Sequence, residues 1–216
     1  MDTNFRGKRV LITSGPTWVP IDNVRVISNT ASGETGILLA KKFIVQGYRV
    51  TLLLGPVNFA SVDKKIKVKR FLFFSQLNTL LKNELKKDYD IVVQAAAISD
   101  FALKQSAKKK ISSQCKELKL ILKPTVKLIN CLRKFKPNAF LVGFKFEPDF
   151  KADGLIKKTR NLIQSASLDL AVGNNLLGKR YNAYLVSKTD AAGPFLSKPA
   201  MVSNLVKLIG RAHAGN

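Results

Sequence analysis

The chain reads as an α/β protein: a Rossmann-like, three-layer open sheet, mostly parallel, with a long lysine-rich flap. Its opening predicts this first. The apolar run Arg9–Thr13, the helix-periodic run Ile37–Gln46 and the β-rich run Arg49–Leu54 make a β-loop-α-β unit, the start of a doubly wound sheet. Strand-like apolar runs then recur at 89–98 and 139–147, with helical patterns on either side. Against these, residues 101–117 are polar, rich in lysine and without periodicity, which marks a loop or flap.

Taken in order, 9–14 is a buried strand and 15–36 is loop and turn. The helix at 37–46 stops at Gly47, and the strand at 49–54 stops at Gly55-Pro56. Lys67–Leu72 gives a short third strand with a basic outer face, and Gln76–Lys87 a second helix. The central strand at 89–98 ends in small residues at Ser99-Asp100, where ligands lie in open α/β sheets. Leu118–Leu122 alternates like a strand with one exposed face, and Pro124 reads as the first residue of a helix reaching about Lys134. Ala139–Glu147 is another central strand, followed by a helix over 153–165, the block Leu168–Asn175, a late strand at Tyr181–Ser187 and a closing helix at Met201–Ile209. One domain over 1–210 is expected, with a frayed tail at 211–216.

Composition narrows the class. No apolar segment approaches the roughly 20 residues of a membrane span, and the lead-in Met1–Lys8 lacks the apolar stretch of a signal peptide. Cys115 and Cys131 make no disulfide framework, so free thiols in the cytoplasm are expected. The net charge of +23, from 37 Lys+Arg against 14 Asp+Glu, fits an anionic substrate, a lysine bias or nucleic acid. No zinc-finger spacing, RNA-recognition aromatic signature or Walker box accompanies it, so nucleic acid is not the expected partner.

The residues able to do chemistry lie in a few places. In the loop after the first strand, Arg25 suits a bidentate contact with phosphate or carboxylate, and Asn29 can hold an acyl or amide group. Ser32, Gly33 and Gly36 bring N–H groups and a hydroxyl to a helix start. The bland alternative is that Asn29 and Ser32 cap the turn and Arg25 is a surface residue. Gly33 and Gly36 come too late for a GxGxxG fingerprint, and Gly55-Pro56 stands where the ribose-binding acid should be, which disfavours NAD. Asp100 suits a ribose, a base, a metal or a turn cap, and Lys110 belongs either to a ligand or to a solvated lysine face. Lys145 and Glu147 can pair with each other, and Asp169 can be structural. With the only histidine, His213, in the tail, no Ser–His or Cys–His nucleophile assembles, and no metal cluster stands out. Such a set suits nucleotidyl transfer, done by positioning and charge neutralisation.

The run Ile12-Thr-Ser-Gly-Pro-Thr…Pro20-Ile-Asp-Asn-Val-Arg-Val-Ile-Ser-Asn-Thr-Ala-Ser-Gly-Glu-Thr-Gly36 resembles the signature of the phosphopantothenate–cysteine ligase family. Ala95–Asp100, Lys109–Ser113, Val142–Glu147 and Leu168–Asn174 follow in family order. The resemblance implies a ligase of coenzyme A biosynthesis that joins 4′-phosphopantothenate to L-cysteine through an acyl-nucleotidylate. CTP, the preference of bacterial members, is placed ahead of ATP, with Mg²⁺ on the triphosphate, a homodimer and a cytoplasmic location. It implies catalytic roles for Asn29, Lys110 and Arg25, with Asn29 and Arg25 at the phosphopantothenoyl end. Ser32, Gly33 and Gly36 would meet phosphate. The nucleotide would lie against Gln94, Ala95, Ala96, Asp100, Lys110, the turn Val126-Lys127-Leu128-Ile129, and Phe144. Many bacterial members follow a flavin-dependent decarboxylase; this sequence starts at the ligase, so no flavin is expected.

The departures are specific. Glu34-Thr35 stands where bacterial members carry Lys or Arg and then Met or Leu, and Leu162 and Ala166 replace two lysines four apart. Phe144-Lys-Phe-Glu147 is closer to the eukaryotic form. Together with the charge, the two apolar substitutions support a rival: a family member that lost catalysis and senses nucleotides or binds nucleic acid.

Overall fold

The computed structural model describes residues 7–58, 62–114, 116–178 and 180–214; the lead-in 1–6, Cys115 and the last two residues lie outside these. In chain order the strands are β1 (Arg9–Ser14), β2 (Trp18–Pro20), β3 (Val26–Ser28), β4 (Arg49–Leu54), β5 (Lys67–Arg70) and β6 (Ile91–Gln94). They continue with β7 (Phe101–Leu103), β8 (Leu122–Pro124), β9 (Phe140–Phe146), β10 (Leu170–Leu177), β11 (Arg180–Val186) and β12 (Ala191–Phe195). The helices are α1 (Glu34–Val45), α2 (Phe74–Leu85), α3 (Leu132–Phe135), α4 (Ala152–Ala166) and α5 (Lys198–Ala214), with a 3-10 turn at Leu128–Cys131.

Eight strands form one sheet in the order β12-β11-β10-β9-β6-β1-β4-β5. It is parallel from β5 through β10 and antiparallel at β11 and β12. Strand alternation sends one set of side chains to each face. Val10, Ile12, Val50 and Leu52 meet Ile37, Phe43, Met201 and Leu205 of α1 and α5 on one side. Leu11, Leu53 and Val92 meet Leu77, Leu81, Leu132 and Ile163 of α2, α3 and α4 on the other. The three-layer α/β expectation holds.

Several local readings change. The loop 15–36 contains the hairpin β2–β3, and α1 starts at Glu34 rather than Ile37, because the helix begins directly behind Gly33 in a left-handed conformation (φ 71°). Residues 95–98 leave the sheet to bond with the loop after β1, which shortens the central strand to β6. Pro124 starts no helix. It closes β8 opposite Phe101, in a two-stranded ribbon where its missing N–H costs nothing. The flap is therefore anchored by β7 and β8, and of Leu118–Leu122 only Leu122 is in a strand. At the sheet edge β12 includes Gly193-Pro194, which an edge strand tolerates. The closing helix continues past Gly210 to Ala214. Among the described residues no helix is long and apolar enough to cross a membrane.

Candidate functional site

From β1 the chain moves outward to β4 and β5, then crosses back to β6 on the other side of β1. The sheet's switch point thus lies between the C-terminal ends of β1 and β6, where open α/β folds hold ligands. The two loops leaving these strands are stitched together. Ala97 N–H donates to Gly15 O (2.9 Å), Thr17 N–H to Ala97 O (3.3 Å), and Ser99 N–H to Thr17 Oγ1 (2.9 Å). Thr13 Oγ1 accepts from Ala96 N–H (3.2 Å). Thr13 and Thr17, both fully buried, went unread in the sequence; two hydroxyls four residues apart across a strand end were the available signal.

Asn29 joins this rim, donating from Nδ2 to Ala97 O (3.1 Å). Gly33 supplies the start of α1, and no side chain caps it there. The first-turn N–H groups of such a helix are open to an anion. Ser14 Oγ donates to Gly33 O (2.8 Å). Gly36 lets α1 lie on the end of β1: a Cβ there would fall 2.3 Å from Ser14 Cβ and Oγ. Ser32 contributes a weak contact from Glu34 N–H (3.4 Å).

Arg25 is engaged otherwise than as an open anion ligand. Its Nη1 donates to Asp22 Oδ2 (3.0 Å) and its Nη2 to Ile111 O (3.2 Å). Asp22, whose side chain is fully buried, also accepts from the Ile111 N–H (3.1 Å). That N–H leads the causes holding the Asp22 carboxyl below its ordinary range, joined by the Val24 and Arg25 N–H groups and the Arg25 charge against burial. Lys110, exposed, is next to this junction, so the flap lysine and Arg25 are brought together through Ile111.

The expected nucleotide residues divide between the two faces of the sheet. Ala96 and Ile129 pack with the α2–α4 side, Leu128 is buried there, and Gln94 faces the same way by alternation. Ala95 and Phe144 pack with the α1–α5 side. Gln94 is 5% exposed, and neither its Oε1 nor its Nε2 has a partner among the described residues. A buried unpaired amide costs about 1–3 kcal/mol. Asp100 is paired with Lys127, which ties the ribbon base to the turn at 126–129; Val126 is exposed. Thr125 reinforces that tie, its N–H donating to Asp100 O (2.8 Å) and its hydroxyl to Ser99 O (2.7 Å).

The remaining acids are accounted for by partners. Glu34 pairs with Lys198, joining the starts of α1 and α5. Glu147 accepts from Lys158 and Lys145 (2.9 Å each), and these bonds hold its carboxyl below the usual range despite burial. Asp169 is structural: its Oδ2 accepts from Arg133 and from Leu141 N–H, both 2.7 Å. Leu162 and Ala166 face the core, Ala166 almost fully buried. Among the described residues no three His, Cys, Asp or Glu gather to hold a metal.

A stitched switch point and an uncapped helix start meet at one rim, and the lysine flap is tied to the tip of the hairpin that leads to it. The family model described as the DNA/pantothenate metabolism flavoprotein C-terminal domain matches residues 5–211. The chain belongs to this family. It is 39% identical over 193 residues to the coenzyme A biosynthesis bifunctional protein CoaBC of Thermococcus kodakarensis, which covers 88% of this chain and 47% of that protein. The chain spans about half the length of the curated relatives it matches. The DNA/pantothenate metabolism flavoprotein of Streptococcus pneumoniae superposes with a TM-score of 0.86 at 24% identity, covering 95% of this chain and 100% of that one. A Cab2 mutant in complex with phosphopantothenate-cysteine superposes with a TM-score of 0.76 at 23% identity, covering 96% and 88%. At these identities the two structural likenesses establish the fold.

Proposed function

We propose that this chain is a phosphopantothenate–cysteine ligase of coenzyme A biosynthesis, working through an acyl-nucleotidylate with CTP ahead of ATP. Family membership across the chain supports it. The observation that carries it is the partnerless Gln94 amide, buried at the same rim as the uncapped start of α1.

In the first step a carboxylate oxygen of 4′-phosphopantothenate bonds to the α-phosphorus, and pyrophosphate leaves. In the second the cysteine amine bonds to the acyl carbon, the nucleoside monophosphate leaves, and the amine loses its proton. The chain's part is placement. The helix start at Gly33 and Gly36, with Ser32, takes a phosphate; Asn29, fixed on Ala97 O, holds the acyl end. Gln94, Ala95, Ala96, Asp100, Val126–Ile129 and Phe144 receive the nucleotide, and Lys110 meets the charge that develops on phosphorus. Arg25 acts chiefly by holding the flap. Asp100 is the carboxylate that would help to hold a Mg²⁺, which would supply neutralisation of the triphosphate charge. A homodimer is part of this reading, and a sedimentation measurement checks it.

The test is direct. Purified protein should release pyrophosphate from CTP or ATP only with 4′-phosphopantothenate present, and form amide only when cysteine is added. Running both nucleotides decides the base preference. Asn29→Asp should leave pyrophosphate release partly intact while impairing amide formation. Absence of both products, with tight salt-sensitive RNA binding, would replace the ligase reading with the nucleic-acid one.

A further inference from the structure

The turn at the tip of the β2–β3 hairpin holds a carboxylate whose two oxygens do separate work. Oδ1 of Asp22 accepts from the N–H groups of Val24 and Arg25, both at 2.8 Å, which shapes the turn itself. Oδ2 accepts from the N–H of Ile111, 89 residues away, and from Arg25 Nη1. Arg25 then returns its Nη2 to the carbonyl of the same Ile111. Both backbone groups of one flap residue are thus captured by the two halves of one ion pair. A second tie lies four residues upstream, where the Ala107 N–H donates to Ile21 O (2.9 Å). Between these ties runs Lys108-Lys-Lys110, three exposed like charges whose mutual repulsion opposes a fixed backbone course. A turn residue needing only local caps would not be buried with an oxygen turned toward a distant segment.

We propose that Asp22 is the positioning residue of the flap: it latches Ile111 to the hairpin tip and thereby sets where the Lys110 ammonium stands over the rim. The catalytic half of this rests on the ligase reading, whereas the latch itself does not. Through this latch the hairpin couples two parts of the site. Its far end begins at Ser28-Asn29, three residue pairs from the tip, roughly 10 Å along the strands. Asn29 and the tie to the flap thus sit at the two ends of one hairpin, within reach of a single acyl-phosphate group once the length of a lysine side chain is added.

Asp22→Asn separates the two tasks. The amide oxygen keeps capping Val24 and Arg25, while the amide nitrogen in place of Oδ2 cannot accept from Ile111 N–H. The variant is compared with the natural protein by tryptic cleavage after Lys108, Lys109 and Lys110, read by mass, and by 4′-phosphopantothenate-dependent pyrophosphate release. We expect cleavage in this run to be about 10-fold faster, and kcat for pyrophosphate release to fall roughly 10- to 100-fold with a smaller change in nucleotide KM. Unchanged cleavage overturns the latch. Faster cleavage with an unchanged kcat overturns the positioning role. If the natural protein itself releases no pyrophosphate, the ligase reading fails, and cleavage still judges the latch. Amide exchange at Ile111 in the natural protein supplies a check that no folding defect can confuse: it should be slow beside its exposed neighbours, and exchange as fast as theirs overturns the proposal.

Discussion

Replacing Glu84 by Gln should remove a large part of the stability of the α2 layer. Glu84, 1% exposed, stands at the end of α2 and accepts from Lys69 of β5 (2.6 Å), Lys87 (2.7 Å) and the Tyr89 hydroxyl (2.5 Å). Tyr89 in turn accepts from the Thr51 hydroxyl at 3.0 Å. Burial alone would raise the carboxyl; the bonds from Lys69, Lys87 and Tyr89 outweigh it and bring it from 4.5 down to about 2. Each unit is worth about 1.4 kcal/mol, so the ionised group contributes about 3 kcal/mol. Because the folded-state value is depressed, that contribution is complete above pH 4.5 and is lost as the pH falls toward 2. Urea unfolding at pH 7 should show E84Q less stable by about 3 kcal/mol, roughly 6–12 °C in thermal midpoint for a chain of this size. By pH 3 the gap should shrink to less than half, since unfolded Glu84 is by then protonated. A gap that stays constant from pH 7 to pH 3 would refute the ionic account and leave packing as the cause.

Two further predictions bear on the rim. Gly36→Ala should cost about 1–2 kcal/mol in spite of alanine's better helix propensity, because the new methyl meets Ser14, and ligand binding should fall with it. Adding Ser14→Gly should restore part of the stability by opening that space; no recovery in the urea curves would sink the steric argument. On the ligase reading, EDTA should stop pyrophosphate release by taking the cation from the triphosphate, and the thermal midpoint should stay unmoved. A fall in midpoint by differential scanning fluorimetry would point to a structural metal.

What could be read from the sequence depended on whether local pattern or distant pairing decided the outcome. The central strands were legible because β1, β4, β6 and β9 are buried apolar runs whose neighbours are also strands. The hairpin β2–β3 was not: its strands, Trp18–Pro20 and Val26–Ser28, are three residues each, too short to show a period, and its pairing is set by the turn that Asp22 caps. Pro124 illustrates the reverse error, a real helix-start signal overridden by pairing with Phe101. Motif order pointed to Asn29, Gly33 and Gln94, and the structure places Asn29 on Ala97 O, Gly33 O on the Ser14 hydroxyl and Gln94 at the end of β6. The engagement of Arg25 with Ile111 could not be seen, since nothing local to residue 25 announces a partner 86 positions away. Glu34 looked out of place in an anion-binding turn until Lys198, 164 positions on, supplied its counter-charge.

On the ligase reading, the pairing of acids accounts for how a site with four carboxylates around it would receive a polyanion. Asp22 is matched by Arg25, Glu34 by Lys198, Asp100 by Lys127, and Glu147 by both Lys145 and Lys158. Each acid is neutralised within its own contact, which leaves the exposed run Lys108–Lys110 as a net positive stretch of the flap. The same logic bears on α4, where Leu162 and Ala166 occupy positions turned into the core. Lysines there would have to bend outward past Ile129 and Leu168, which crowd the middle of β9 at Gly143. With apolar side chains filling that layer, the ligase reading draws its charge for a triphosphate from the flap and the 126–129 turn, which is why the proposed placement of Lys110 by Asp22 bears directly on the test of that reading.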